Sequence, residues 1–369
     1  YPVEFLAASM TLDAGNTDKL AEFRAEAQRL GIKVMPPSVN RSGFAFEVDG
    51  DTIHYSLAAL KGVGAQAVEA IVAARGDRPF TDLSDFATRI NPRAVNKRVL
   101  ESLAAAGAFD ALESNRARVF AAVDVMLGEA QRAHETKESG ALEFSFGDSS
   151  TRGALRLPKV EPWLPAERLQ KEFDAIGFFL SGHPLDDYMP ALKRMRVQSW
   201  VEFTRAVKSG VSAGRVAATV VARTERRTRT GSKMGIIGLS DPSGHYEAVL
   251  FSEGLQQYRD LLEPGSAVLL MLSAELQGEE VRARIQMVEP LDKAAAKLQK
   301  ALRVFLRDQT PIESVAKRLD GQGDGEVSVV LLLGQGTEVE VKLPGRFKVS
   351  PQVAGAIKAI PGVIEVQAL

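Results

Sequence analysis

The sequence runs to 369 residues, enough for about two to four domains, and its 45% hydrophobic and 25% charged content is that of an ordinary globular chain. It has no cysteine, which excludes disulfide frameworks, thiolate zinc sites, iron–sulfur clusters and cysteine nucleophiles together. With 46 Lys and Arg against 47 Asp and Glu the net charge is −1, so a polyanionic partner has to be gripped by local patches.

The chain opens Tyr1-Pro2-Val3-Glu4, with neither an initiator methionine nor a signal-peptide pattern, and reads as a piece of a longer cytoplasmic chain. No apolar run approaches the roughly 20 residues that span a bilayer. The first clear helix is capped by Asn16 or Thr17, carries the stripe Leu20, Phe23, Ala27 and Leu30, and ends at Gly31. Beyond Pro36-Pro37, the runs Phe44–Val48 and Thr52–Tyr55 flank Asp49-Gly50, a hairpin signal. Asp49-Gly50-Asp51 also spells the D-x-D of metal-dependent nucleotidyl transferases. A carboxylate pair at a turn tip has no walls to fix a magnesium ion, so the turn reading is preferred.

Residues 56–130 are alanine-rich and read as helices broken by glycine turns. Within Leu57–Ala74 a short helix should meet the turn Gly62-Val63-Gly64, and a second helix should start near Ala65. Glycines there bring backbone N–H groups to the surface at a helix N-terminus, a site that holds one phosphate without reading bases. Lys61 adds a charge at its edge, which makes Lys61, Gly62, Val63, Gly64 and Ala65 DNA-binding candidates. This is a helix-hairpin-helix pattern. Gly62-x-Gly64-x-x-Ala67 also fits a dinucleotide fingerprint, but Ser56–Leu60 is a poor buried strand and Leu83–Ile90 looks helical. A weaker second hairpin falls in Val99–Ala111, with Ala105, Gly107 and Ala108 as its candidates; paired hairpins favour duplex DNA.

Residues 131–165 read as a linker, rich in Gly, Ser and Pro, interrupted by Leu142-Glu143-Phe144-Ser145-Phe146. Apolar anchors on a flexible segment suit docking into a partner's pocket, and folding back onto the chain's own domain is the competing reading. Helix returns from Pro165 to about Phe179 and stops at Gly182-His183-Pro184, where His183 reads as structural. Five strands follow, Gly214–Arg223, Gly235–Ser240, His245–Phe251, Ala267–Leu276 and Val281–Val288, with a helical patch Glu253–Leu262 after the third. That is the order of an OB barrel. From Arg215 to Lys233, over the first strand and the turn to the second, stand six basic residues, Arg215, Arg223, Arg226, Arg227, Arg229 and Lys233, against one acid, Glu225. Such a loop is where OB barrels grip single strands, with Tyr246 and Phe251 as stacking faces, although Phe251 also fits barrel core. The remainder reads strand, helix, strand, strand, helix, strand over Leu302–Leu306, Ile312–Leu319, Glu326–Leu333, Glu338–Leu343, Gln352–Ile360 and Val363–Gln367, the order of a small split βαβ sandwich.

Taken in order, these pieces resemble the C-terminal part of the alpha subunits of bacterial DNA polymerase III, the C-family DNA polymerases. Tyr1–Phe5 and Gly31–Arg41 are similar to the end of that family's fingers domain, and Leu60–Ala70 to its helix-hairpin-helix. Gly177–Leu185 resembles its connector and Ile237–Phe251 its barrel centre. The resemblance implies a multidomain α+β chain. The fingers tail would take 1–55, the tandem hairpins 56–130, a linker with a clamp motif 131–165, and a helical connector 166–209. The OB domain would take 210–292, and a βαββαβ domain binding the tau subunit of the clamp loader 293–369. It also implies a nucleoid-associated replicative polymerase whose magnesium-binding palm carboxylates lie upstream. This piece would then be inactive alone, with no catalytic, metal or cofactor site. Leu142, Phe144 and Phe146 become sliding-clamp candidates, although the family's motif begins with glutamine and only Phe146 and Gly147 match it well. The alternatives are a protein-binding adaptor and the family's error-prone paralogue in lesion bypass, which generally lacks a tail like 300–369. A nicotinamide-dependent ligase joins the same modules through a four-cysteine finger, which is absent.

Overall fold

The computed structural model describes residues 1–138, 155–227, 231–298, 300–319, 321, 323–333 and 337–369. They form two compact units, Tyr1–Ser181 and Gly182–Leu369.

In the first unit, helix α1 (Pro2–Leu12), which the sequence reading did not foresee, precedes α2 (Thr17–Arg29). Asn16 caps α2 through its side chain, accepting from the Lys19 N–H, and Gly31 turns the chain out of it. The Asp49-Gly50 hairpin forms as β2 (Glu47–Asp49) and β3 (Thr52–His54), and β1 (Lys33–Met35) joins parallel to β3. Five helices follow: α3 (Ala65–Arg75), α4 (Leu83–Arg89), α5 (Lys97–Ala106), α6 (Arg116–Ala121) and α7 (Val123–Glu138). Helix α8 (Pro165–Ile176) completes the unit; it stops at Gly177, φ +104°, three residues short of the expected Phe179.

One apolar core runs from Val3 to Leu180 through Met10, Ile53, Tyr55, Ile71, Leu100 and Phe109. A fingers tail over 1–55 and a hairpin domain over 56–130 are therefore not separate bodies. The expected linker is also partly absorbed. Leu155 and Leu157 pack on this core, and Trp163 meets Phe120 edge to face at 5.6 Å. The connector expected over 166–209 divides: Ile176 and Phe178 belong to the first core, whereas Leu185, Tyr188 and Leu192 belong to the second unit.

The second unit opens with α9 (Met189–Arg194) and α10 (Trp200–Lys208). Ser199 and Glu202 cap α10 reciprocally, satisfying two N–H groups at its start. The barrel strands are β4 (Ala213–Arg227), β5 (Lys233–Asp241), β6 (Gly244–Phe251), β7 (Ala267–Gln277) and β8 (Glu280–Pro290), with α11 (Ser252–Tyr258) after the third. They close in the order β4-β5-β6-β8-β7, with Phe203 and Val207 of α10 packed into the barrel core. This is the five-stranded barrel with a helix after its third strand that the strand order implied.

After α12 (Leu291–Ala296) come β9 (Ala301–Leu306), α13 (Ile312–Ala316), β10 (Glu326–Leu333), β11 (Thr337–Lys342), α14 (Pro351–Lys358) and β12 (Val363–Ala368). The βαββαβ order is as expected, but the unit is not split. The sheet runs β11-β10-β9-β12, with β9 and β10 paired directly in parallel. Composition explains the placement. The apolar β10 needs neighbours on both sides, whereas every residue of β11 is exposed and its Glu338, Glu340 and Lys342 suit an edge.

Candidate nucleic-acid interface

At the first hairpin the expected helix before Gly62 is only a turn. Ser56 Oγ accepts the Ala58 N–H, and the Lys61 N–H donates to the Ala175 carbonyl at 2.8 Å rather than back along its own segment. Gly62 adopts φ +81°, and a Cβ there would sit 3.1 Å from Arg98 Nε. Gly62, Gly64 and Ala65 are exposed and Val63 is buried. The N–H groups of Gly64, Ala65 and Gln66 find no acceptor among the described residues. They open α3, whose first turn carries no acid to satisfy its dipole. Lys61 turns aside, its Nζ lying 5.7 Å from the centre of the Phe173 ring. The cation over the turn is Arg98, which the sequence reading missed. Lys97 and Arg98 stand at the N-terminus of α5, where a cation opposes the helix dipole. Lys97 pairs with Asp124 at 2.8 Å, whereas Arg98 is exposed.

The second hairpin does not offer its backbone in the same way. Ala105, Gly107 and Ala108 are buried, and the N–H groups of Gly107 and Ala108 are taken by the Ala104 and Leu103 carbonyls. Gly107 caps α5 at φ +85°, with the Arg116 guanidinium packed where a side chain would be. Arg116 also holds Asp110 at 2.7 Å and Glu172 at 3.1 Å. These three DNA-binding candidates are thus corrected to structural positions, because the site above them is filled by the protein's own cation.

On the barrel the six basic candidates separate. Arg223 is committed: it pairs with Glu263 at 3.0 Å and donates to the Arg259 carbonyl at 2.7 Å. Arg215, Arg226, Arg227 and Lys233 are exposed, with Arg227 opposite Lys233 across the β4–β5 hairpin; Arg229 lies outside the described residues. Tyr246 is corrected. It is 8% exposed and stacks flat on Trp200, ring centres 4.0 Å apart, and burial pushes its hydroxyl well above the usual phenol range. Phe251 instead is 50% exposed, not barrel core. Side chains alternate along β6, so two rings five residues apart face opposite ways, and Tyr246, Ala248 and Leu250 take the inside. The spacing alone carried that information.

A family model described as a helix-hairpin-helix motif matches residues 31–119. The DNA polymerase III alpha subunit of Caulobacter vibrioides is 42% identical over 98% of this chain and 32% of its own length. That of Bacillus subtilis is 31% identical over the same shares. The chain belongs to the DNA polymerase III alpha subunit family. It spans about a third of the length of these relatives. A solved SSB domain from Synechococcus sp. aligns with 21% of this chain and 94% of that chain at 17% identity and a TM-score of 0.20, so slight a likeness that the barrel assignment rests on strand order.

The clamp-motif candidates of this alpha-subunit segment, Leu142, Phe144 and Phe146, lie outside the described residues. Among the described residues no group of three acidic, His or Cys side chains is placed to hold a metal ion, and Asp49 and Asp51 stand exposed at their hairpin. His183 is a buried structural residue: its Nδ1 accepts the Leu185 N–H at 3.1 Å, leaving Nε2 to carry the proton toward Ser240 Oγ at 3.2 Å. No helix among the described residues is long and apolar enough to cross a membrane.

Proposed function

We propose that this chain is the DNA-binding and processivity portion of a replicative DNA polymerase, whose complete protein carries out magnesium-dependent, template-directed synthesis. The observation that carries the reading is the row of unpaired N–H groups at Gly64, Ala65 and Gln66, lying at a helix N-terminus beneath the exposed Arg98. Oriented N–H donors plus one mobile cation suit a single backbone phosphate, which gives grip without base reading. Duplex DNA would be held there, while the barrel's exposed Arg215, Arg226, Arg227 and Lys233 would take single-stranded template. In the cell such a chain would work at the nucleoid.

Two protein partners complete the proposal. The apolar run Leu142, Phe144 and Phe146 would dock into the sliding clamp. The C-terminal sheet domain would bind the tau subunit of the clamp loader, and an apolar cavity of about 220 Å³ lined by Ile312, Leu319, Leu343 and Phe347 supports capture there. The test is fluorescence anisotropy of the chain with a labelled primer–template, a bare duplex and a single strand across a salt series. Salt-dependent binding that favours the junction is expected, with a log–log slope of roughly −0.9 per duplex phosphate contacted. Absence of binding to all three at low salt would overturn the DNA reading and leave capture of clamp and clamp loader as the function.

A further inference from the structure

We infer that the open seam of the barrel, between β6 and β8 and beside α10, is a binding site for a linear aliphatic polyamine. Strands β6 and β8 pair only at Ala248–Ala283 and Val249–Arg284, so toward Gly244 neither has a partner in the other. A groove of about 700 Å³ opens there. Trp200 and Lys208 of α10 stand on one wall, on the same face of their helix. Tyr246 and Glu247 of β6 line it opposite Glu279, Glu280 and Arg282 at the start of β8. Glu247 is paired in register with Gly238 of β5, a residue with no side chain to offer it a charge. Among the described residues no ion pair engages Glu247, Glu279 or Glu280, although Lys208 and Arg282 share the lining.

The chemistry of the lining decides the occupant. Three carboxylates around one groove repel a phosphate backbone, so nucleic acid is the wrong ligand for it. They are too far apart to share a metal ion, since no three acidic, His or Cys side chains among the described residues stand close enough to hold one. A cation whose charges are spaced along a flexible chain can meet each carboxylate in turn. Its methylenes pack on the Trp200 ring, whose π-face also attracts an ammonium. Tyr246 supplies an independent sign of a missing ligand. It is 8% exposed and lines the groove, yet its hydroxyl has no hydrogen-bond partner among the described residues. An N–H donor reaching that oxygen removes the cost of leaving it unsatisfied. Lys208 and Arg282 are exposed, on flexible stems that let their charges retreat to water.

The test uses the full chain carrying Trp163→Phe, which leaves Trp200 as its one tryptophan. Spermidine added at fixed ionic strength should change Trp200 emission saturably, putrescine should bind more weakly, and butylamine hardly at all. No DNA is present, so failure here and failure of the DNA reading are separate outcomes. Glu247→Gln, Glu279→Gln and Glu280→Gln combined should weaken spermidine binding roughly 3- to 150-fold, the range for losing three exposed ion pairs. All three positions are exposed, so the fold should survive the exchange. Tyr246→Phe should weaken binding without lowering the melting temperature, because it deletes a hydroxyl that the free protein leaves unpaired. Trp200 emission unmoved by spermidine, or a triple variant that binds as the unaltered chain does, overturns the site. So does saturable binding of an acetylated dilysine peptide in preference to spermidine, which would assign the groove to a basic segment of a protein partner.

Discussion

Arg116 and Glu172 form an ion pair of 3.1 Å with side chains 4% and 0% exposed, although 56 residues separate them. The pair fastens α8 to the start of α6. Arg116 also donates to Asp110 and to the Ala105 carbonyl, and Glu172 Oε1 accepts the Leu180 and Ser181 N–H groups. Removing one member of a buried pair strands the other charge, at a cost of roughly 3–5 kcal/mol. Arg116→Met leaves Glu172 buried without a counter-charge and should destabilise the first unit by about that much, and Glu172→Gln by less, because Arg116 keeps Asp110 at 2.7 Å. The double substitution should cost less than the sum, because neither charge is then left alone. The chain's two tryptophans lie in different units, so urea unfolding followed by Trp163 emission in a Trp200→Phe background reads this directly. Additive losses would show that the pair is not a unit.

What the sequence disclosed follows from how local each interaction is. The barrel strands were legible because alternation and turn chemistry act over a few residues, as in His245–Phe251. The neighbours of β9 were not legible, since β-α-β-β-α-β order is compatible with more than one sheet arrangement. The turn before Gly62 was misread because the acceptor for the Lys61 N–H, the Ala175 carbonyl, comes from far along the chain. Ala105, Gly107 and Ala108 failed as contact residues for the same reason: their occupant, Arg116, arrives by tertiary packing. Phe251 was within reach of strand parity.

The hairpin site makes a sharper prediction about Gly62 and Arg98. Gly62→Val forces a branched side chain into φ +81° and against the Arg98 guanidinium, so the turn should distort. Duplex affinity should fall and the log–log salt slope should flatten by about 0.9, one phosphate contact. Arg98→Ala, at an exposed position, should flatten the slope similarly while changing stability by no more than about 0.5 kcal/mol. A salt titration of both variants on a bare duplex decides it; an unaltered slope for Arg98→Ala would remove Arg98 from the site.

Asp241 links the barrel to pH. Its carboxylate accepts the Trp200 N–H at 2.5 Å and both the N–H and hydroxyl of Ser243. Burial nevertheless raises its pKa above the usual carboxylate value, against the pull of these hydrogen bonds. A carboxyl whose folded pKa is raised binds its proton more tightly in the folded state. Its contribution is therefore full below the unfolded pKa and declines as pH rises through the folded one. Asp241→Asn cannot titrate, so its stability relative to the unaltered chain should improve as pH climbs from about 3 toward neutrality. Thermal melts across that range, followed at Trp200, provide the check. A stability difference that stays flat or moves the opposite way would mean that the hydrogen bonds outweigh burial.

Finally, the barrel arginines should divide into two kinds. Arg223, with a side chain 15% exposed, ties β4 to Glu263 and to the Arg259 and Leu262 carbonyls. Losing those charge-assisted bonds should cost on the order of 1.5–3 kcal/mol. The same loss should leave the single-strand salt slope where it was, since the guanidinium is already engaged within the protein. Arg226 and Arg227 stand exposed near the end of β4 without an acidic partner among the described residues, so alanine at either should alter stability by no more than about 0.5 kcal/mol. Neighbouring residues on a strand face opposite sides, and only Arg226 shares a row with Met234 and Phe251. Arg226→Ala should therefore flatten the slope on oligothymidylate by roughly 0.7, and Arg227→Ala by less. Equal effects from the two would point to a strand that wraps the hairpin tip rather than crossing the sheet.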